Sequence, residues 1–173
     1  MRIGAYQFAV GSSITDNFHA VCRGIEDAAS QNIRLLVFPE CALTGYSPRD
    51  IKSAVDVNFE ELDAVYREIE KMSKKSNMYI LVRICFEVRY PEYFRELYRE
   101  NTALNIILFY DVADNDDIER YELIKSHIRT RAVENVTYTM SVNSIRPYQT
   151  APTGIFDKSG RTINELNGTR KIY

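Results

Sequence analysis

The sequence has 173 residues, 45% of them hydrophobic, enough to build a core, and it carries no low-complexity tract, repeat or linker. Its formal net charge is -2 with lysine and arginine spread along the chain, which excludes an electrostatic nucleic-acid binder. Cys22, Cys41 and Cys85 are odd in number and form no CxxC pair, so no disulfide framework or zinc knuckle is expected and at least one thiol is free. The opening MRIGAYQFAV lacks the features of a signal peptide, and no apolar run approaches membrane-spanning length. The expectation is a cytoplasmic, single-domain chain over residues 1–173, with no cofactor, no metal, no nucleic acid and no membrane partner.

Residues 2–8 have the short apolar character of a first strand, and Ser13 with Asp16 forms a helix-start signal beyond it. Phe18, Val21, Cys22, Ile25, Ala28 and Ala29 then recur at helical spacing, with Asn17, Arg23, Glu26 and Asp27 assigned to the polar side. On that stripe Cys22 is core filler. Residues 35–38 form a continuous apolar run suited to a strand covered on both faces, and it stops at Pro39 and Glu40. The turn-rich TGYSPRD of residues 44–50 follows. A second amphipathic helix runs through Phe59, Leu62, Val65, Tyr66, Ile69 and Met72, ahead of a strand predicted over residues 79–84.

The second half repeats the alternation. A short helix is predicted over residues 91–99, a strand over 105–109, and a longer helix marked by Ile118, Tyr121, Ile124, Ile128 and Ala132. A strand at 138–142 and a closing hairpin, with strands at 153–156 and 162–163 around a turn at 157–160, complete an α/β layered fold.

Two groups with chemical potential share one address, because Glu40 and Cys85 each lie at or just past a strand end, where open α/β sheets gather functional groups. A carboxylate near a thiol can take its proton as sulfur attacks an electrophilic carbon, and can later activate water. On composition alone a cysteine such as Cys85 is more often a small buried hydrophobe than a nucleophile, and Glu40 also reads as a solvated strand end. Cys41 is a weaker rival for the thiol role, since the strand pleat would turn it away from Glu40. His127, between basic neighbours in a helix, reads as exposed, and His19 stands only as a distant partner for a cysteine.

The run LLVFPECALTGYSPRD from Leu35 resembles the glutamate motif of the nitrilase superfamily, the carbon-nitrogen hydrolases. RICFEVRYPEYFREL from Arg83 is similar to the cysteine motif of that family. RTRAVENVTYTMSVN from Arg129 and TGIFDKSGRTI from Thr153 resemble its helix-to-strand segment and its late hairpin. The resemblance implies a nitrilase-like αββα sandwich and a Glu-Lys-Cys triad acting on a small-molecule amide, nitrile or carbamoyl substrate. By motif, Glu40 is the general base and Cys85 the nucleophile, with the backbone N–H of Phe86 at the developing oxyanion. Glu134 and Asn135 match a structural pair of the family.

The family places its lysine on a long stretch between the glutamate and cysteine motifs, and here no lysine occurs between Lys75 and Lys125. Residues 80–83 read as a seam where that stretch and its central strands are missing. Three explanations stand: a segment of the working protein absent from this sequence, a deletion that leaves the chain inactive, or another cation in place of the lysine. The candidate cations are Lys52, Arg49 and Arg83; the terminal RKIY lies in the wrong order to serve. The alternative to a hydrolase is therefore an inactive interaction or oligomerisation module, and a third reading is an unrelated α/β protein with a buried cysteine. Loss of central strands predicts uncovered apolar faces, and hence self-association into a homo-oligomer.

Overall fold

The computed structural model describes residues 1–81, 86–99 and 102–166. Strand β1 (Ile3–Ala5) leads to helix α1 (Ile14–Ser30), whose start is fixed by Ser13 Oγ accepting from the N–H of Asp16 at 3.2 Å. Strand β2 (Leu35–Val37) leads to helix α2 (Phe59–Ser76), capped by Asn58 at its start and by Asn77, in the left-handed region at φ 48°, at its end. Strand β3 (Tyr79–Leu81) follows. The three strands form one parallel sheet in the order β1-β2-β3.

A 3-10 helix (Phe86–Arg89) and helix α3 (Pro91–Arg99) precede strand β4 (Leu104–Phe109). Helix α4 (Ile118–Glu134) begins at Asp117, whose carboxylate accepts from the N–H of Arg120 at 2.9 Å. It runs back to strand β5 (Tyr138–Asn143), parallel to β4. Strands β6 (Thr153–Phe156) and β7 (Thr162–Leu166) add an antiparallel hairpin, giving the second sheet the order β4-β5-β6-β7. The hairpin turn is held by Asp157 Oδ1, which accepts from the N–H groups of Ser159 and Arg161.

Strand alternation decides the layering. On β2, Leu35 and Val37 point toward the second sheet and join Ala5, Leu108, Met140 and Val142 in the core between the sheets, while Leu36 and Phe38 point toward α1 and α2. On β4, Leu108 faces the other sheet and Ile107 and Phe109 face α4 through Ile124 and Ile128. The result is helix, sheet, sheet, helix, the αββα sandwich. Fully burying a side chain such as Phe38 contributes about 1.5–3 kcal/mol. Its ring meets those of Tyr6 and Phe8 edge-on, at centroid distances of 5.8 and 6.4 Å. Helix α1 approaches this cluster at Gly24, where a Cβ would lie 2.8 Å from the Phe38 ring, so no larger residue fits without movement.

Packing corrects several assignments. Asn17 is not on a solvated face of α1: it is buried, donating from Nδ2 to the carbonyls of Gly11 and Leu43 at 2.7 and 3.0 Å and accepting from the N–H of Gly11 at 2.9 Å. Ala29, Phe59, Tyr66 and Ile118, placed on apolar stripes by spacing, are exposed. Between the sheets Ala5, Val37, Leu108, Met140 and Val142 are each almost completely buried, whereas Tyr79 on β3 and Ile163 on β7 are exposed. The far end of the strand predicted over 79–84, with the rest of the seam at 82–83, lies outside the described residues.

Candidate active site

The loops that follow β1, β2, β4 and β5 meet at one end of the sandwich. The N–H of Ile145 donates to the carbonyl of Phe8 at 2.9 Å, and Ser144 Oγ donates to the same carbonyl while accepting from the N–H of Val10. Asn143, the last residue of β5, donates from Nδ2 to the carbonyls of Asp111 and Ala151, and its Oδ1 accepts from the N–H groups of Asp111 and Ser144. One buried amide thus ties three loop segments together with every hydrogen-bonding atom used.

Glu40 lies three residues beyond β2 and is only 6% exposed. Its N–H donates to the carbonyl of Phe109 at 3.4 Å, and its Oε2 accepts from the N–H of Tyr110 at 3.2 Å, so the end of β4 holds both its backbone and its carboxylate. Cys41 follows at φ 53°, the left-handed region, and its carbonyl accepts from the N–H groups of Thr44 and Gly45. A non-glycine residue bent this way costs free energy that the surrounding bonds offset, and such bends concentrate at functional sites. Burial first, and then the charge of Glu40, push the Cys41 thiol up to about 11, so at neutral pH it is not a thiolate.

The turn after Cys41 requires Gly45 at φ 78°, where a Cβ would also lie 2.6 Å from the carbonyl oxygen of Gly11. Asp50 closes this loop on itself: Oδ2 accepts from the N–H of Tyr46 at 2.9 Å, and the N–H of Asp50 donates to the carbonyl of Tyr46 at 2.7 Å. Arg146, from the loop after β5, pairs with Asp50 Oδ1 at 2.7 Å and also donates to the carbonyl of Val10. The fixed loop lays the Tyr46 ring flat on that of Tyr110, with centroids 5.1 Å apart and planes within 7°. Burial, and secondly the nearby Asp50, push the Tyr110 hydroxyl up to about 12.

Two cavities open beside these rings. The inner one, of about 150 Å³, is bounded by Tyr46, Phe109, Tyr110, Ile124 and by Val88 and Arg89 of the 3-10 helix. The outer one, of about 430 Å³, shares Tyr46, Tyr110, Asp111 and Arg120 with it and adds Arg49 and Asp114. Cys85, the sequence-predicted nucleophile, lies outside the described residues, as do Arg83 and the RKIY terminus. In sequence Cys85 immediately precedes the 3-10 helix that walls the inner cavity.

Of the candidate cations, Lys52 is exposed, and Arg49 pairs with Asp114 at 2.8 Å. His19 is exposed on α1. His127 is partly buried on α4, with its pKa pushed down by burial and then by the charges of Arg131 and Arg89; neither histidine lines these cavities. Glu134 pairs with buried Arg131 at 2.8 Å, and Asn135 donates to the carbonyl of Arg131, which occupies both at the end of α4. Among the described residues no group of three His, Cys, Asp or Glu side chains could hold a metal ion, and no helix is long and apolar enough to cross a membrane.

The layered fold is that of nitrilase-superfamily amidases. The NitN amidase from Nesterenkonia sp. AN1 superposes with a TM-score of 0.79 at 15% identity, over 99% of this chain and 90% of that one. A second structure of a Nesterenkonia amidase gives 0.80 at 16% identity, over 99% and 87%. The C. elegans NitFhit protein gives 0.81 at 12%, over 98% of this chain and 58% of the other. Residues 2–84, just under half of the chain, match the carbon-nitrogen hydrolase family. No curated protein sequence is similar enough to match. In structures of the Nesterenkonia amidase, acrylamide or the acetamide moiety of fluoroacetamide is attached to the active-site cysteine. The glutamate and cysteine substituted in that amidase lie 104 positions apart, whereas Glu40 and Cys85 lie 45 apart.

The structure adds residues that spacing did not single out. Tyr110, Asn143 and Arg146 act across 32 to 136 positions of sequence, through pairings that no local pattern encodes. Asp50 had one signal, its place at the end of the turn-rich TGYSPRD that follows Glu40.

Proposed function

We propose that this protein is a carbon-nitrogen hydrolase acting on non-peptide amide, nitrile or carbamoyl C–N bonds, with Cys85 as nucleophile and Glu40 as general base. The observation that carries the reading is the buried Glu40 carboxylate held by the N–H of Tyr110, a residue that lines a cavity walled on another side by the helix after Cys85. On an amide, Glu40 takes the thiol proton as sulfur bonds to the carbonyl carbon. The C–N bond then breaks, ammonia leaves with that proton, and a thioester remains. Water attacks the thioester, giving its proton to Glu40, and the C–S bond breaks to free the acid and restore the thiol. The N–H of Phe86, at the start of a helix that does not itself use it, serves the oxyanion.

Ammonia release from a panel of simple amides and nitriles tests the reading. Turnover lost in Cys85→Ala supports it; no turnover, with Cys85 inert to iodoacetamide, contradicts it.

A second reading is favoured by the 45-position spacing and by the missing lysine between Lys75 and Lys125. In it, the family's lysine-bearing stretch is deleted at residues 80–83, shortening the sandwich by its central strands, and the protein is an inactive scaffold. Its interaction surface is the outer edge of β3, the end strand of the described first sheet, where Tyr79 is 71% exposed. Self-association of the chain through that edge is the form this takes, and a monodisperse monomer in sedimentation contradicts it. The cytoplasm, with its reduced thiols, suits either reading.

A further inference from the structure

Glu40 touches the end of β4 twice, through the Phe109 carbonyl and the Tyr110 N–H. These two groups belong to one planar peptide unit, so turning that unit moves both contacts together. Asn143 holds the chain on either side of it. On β5, Asn143 is the register partner of Phe109, and its side chain reaches forward to Asp111. There Oδ1 accepts from the Asp111 N–H at 3.0 Å, and Nδ2 donates to the Asp111 carbonyl at 2.9 Å. That carbonyl has a second donor, the N–H of Thr150 at 3.0 Å, whereas the Asp111 N–H rests on Asn143. Asn143 is itself fully buried and fixed, its N–H donating to Thr153 Oγ1 at 2.8 Å and its Nδ2 to the Ala151 carbonyl at 2.9 Å. It lines neither cavity beside Tyr110.

We infer that Asn143 is a positioning residue for the general base: it aims the Tyr110 N–H at the Glu40 carboxylate and so tunes how readily Glu40 takes a proton. The inference rests on reading Glu40 as the base, and it names a residue that acts on it without touching substrate. An N–H aimed at a carboxylate favours the charged form, and the bond weakens steeply as it bends. Loss of the Asn143 amide frees the peptide unit after Tyr110 to turn, and the Tyr110 N–H turns with the backbone. The charged and titratable groups of the surrounding loops are Cys41, Asp50 with Arg146, the Tyr110 hydroxyl, and Asp111 with Arg120. All of them stay in place when Asn143 is replaced, so a shift at Glu40 reports lost alignment.

Carbon-13 NMR titration of the Glu40 carboxyl, with hydrogen exchange of the Tyr110 and Asp111 amides, tests this in the full chain without turnover. Asn143→Ser has too short an arm to reach Asp111. In it the carboxyl is expected to titrate at higher pH than in the parent, and both amides to exchange about tenfold faster or more. In ammonia-release assays kcat should fall about tenfold or more with KM within about twofold, and the acid limb of the pH profile should move up with the carboxyl. Ser141→Ala removes a different buried hydrogen bond of β5, to the Pro152 carbonyl, and should move none of these readouts. A Glu40 titration unmoved by Asn143→Ser, or moved as far by Ser141→Ala, would overturn the inference. If Asn143→Ser does not fold, the parent decides: Tyr110 and Asp111 amides as protected as those inside β4 and β5 uphold the inference, and exchange as fast as in an exposed loop overturns it. Absence of ammonia release would count against the hydrolase reading alone.

Discussion

The carboxylate of Glu40 accepts a hydrogen bond from the N–H of Tyr110 at 3.2 Å, joining the end of the first sheet to the end of the second. Glu40→Gln keeps an oxygen that can accept this bond but removes the base. Turnover is expected to fall roughly 100-fold or more, with the thermal midpoint little changed. Glu40→Ala also removes the acceptor, and chemical denaturation should show a loss of about 1–3 kcal/mol. Equal activity in Glu40→Gln and the parent would remove Glu40 from the mechanism.

The Arg146 pair with Asp50 fixes the loop that carries Tyr46. Arg146→Met strands a buried carboxylate, and a loss of about 2 kcal/mol is expected, less than for a fully buried pair because Arg146 is partly exposed. The double variant Arg146→Met with Asp50→Asn should recover part of that loss in urea unfolding. Additive losses would mean that the two residues act independently.

Gly45→Ala meets both a left-handed backbone and the Gly11 carbonyl oxygen at 2.6 Å. Destabilisation above about 1 kcal/mol is expected, since the added Cβ is strained as well as crowded. A crystal structure of the variant should show the 44–50 turn displaced and the Tyr46 ring lifted from Tyr110. An unmoved turn with unchanged stability would contradict the close approach.

The pH dependence of stability carries the mark of Cys41. Its folded-state pKa, about 11, lies above the ordinary value of 9.0, so the unfolded chain releases this proton first. The stability contributed by the neutral thiol is complete below about pH 9 and is lost as pH rises toward 11. Urea midpoints between about pH 8 and 11 should therefore fall more steeply in the parent than in Cys41→Ser. Parallel curves would show that Cys41 is not the group responsible.

Much of the layering was legible in the sequence because it follows from periodicity. The apolar run around Leu36 and Val37 forms a strand buried on both faces, and the spacing of Ile124, Ile128 and Ala132 seats α4 on the second sheet. Asn17 was misplaced because a polar residue at a polar-looking position has no local signal for burial; its partners are carbonyls of two loops. Glu40 was recognised through its motif and its strand-end address. Tyr110, which orients it, was not, because that contact spans 70 positions and uses only the backbone N–H of Tyr110.

On the proposed mechanism Cys85, and neither Cys22 nor Cys41, is the nucleophile of a site built around Glu40. Peptide mapping by mass spectrometry after treatment with fluoroacetamide at neutral pH tests it most directly. One added acetamide group is expected, on Cys85, with Cys22 and Cys41 unmodified. Label on Cys22 or Cys41 with Cys85 untouched would contradict it.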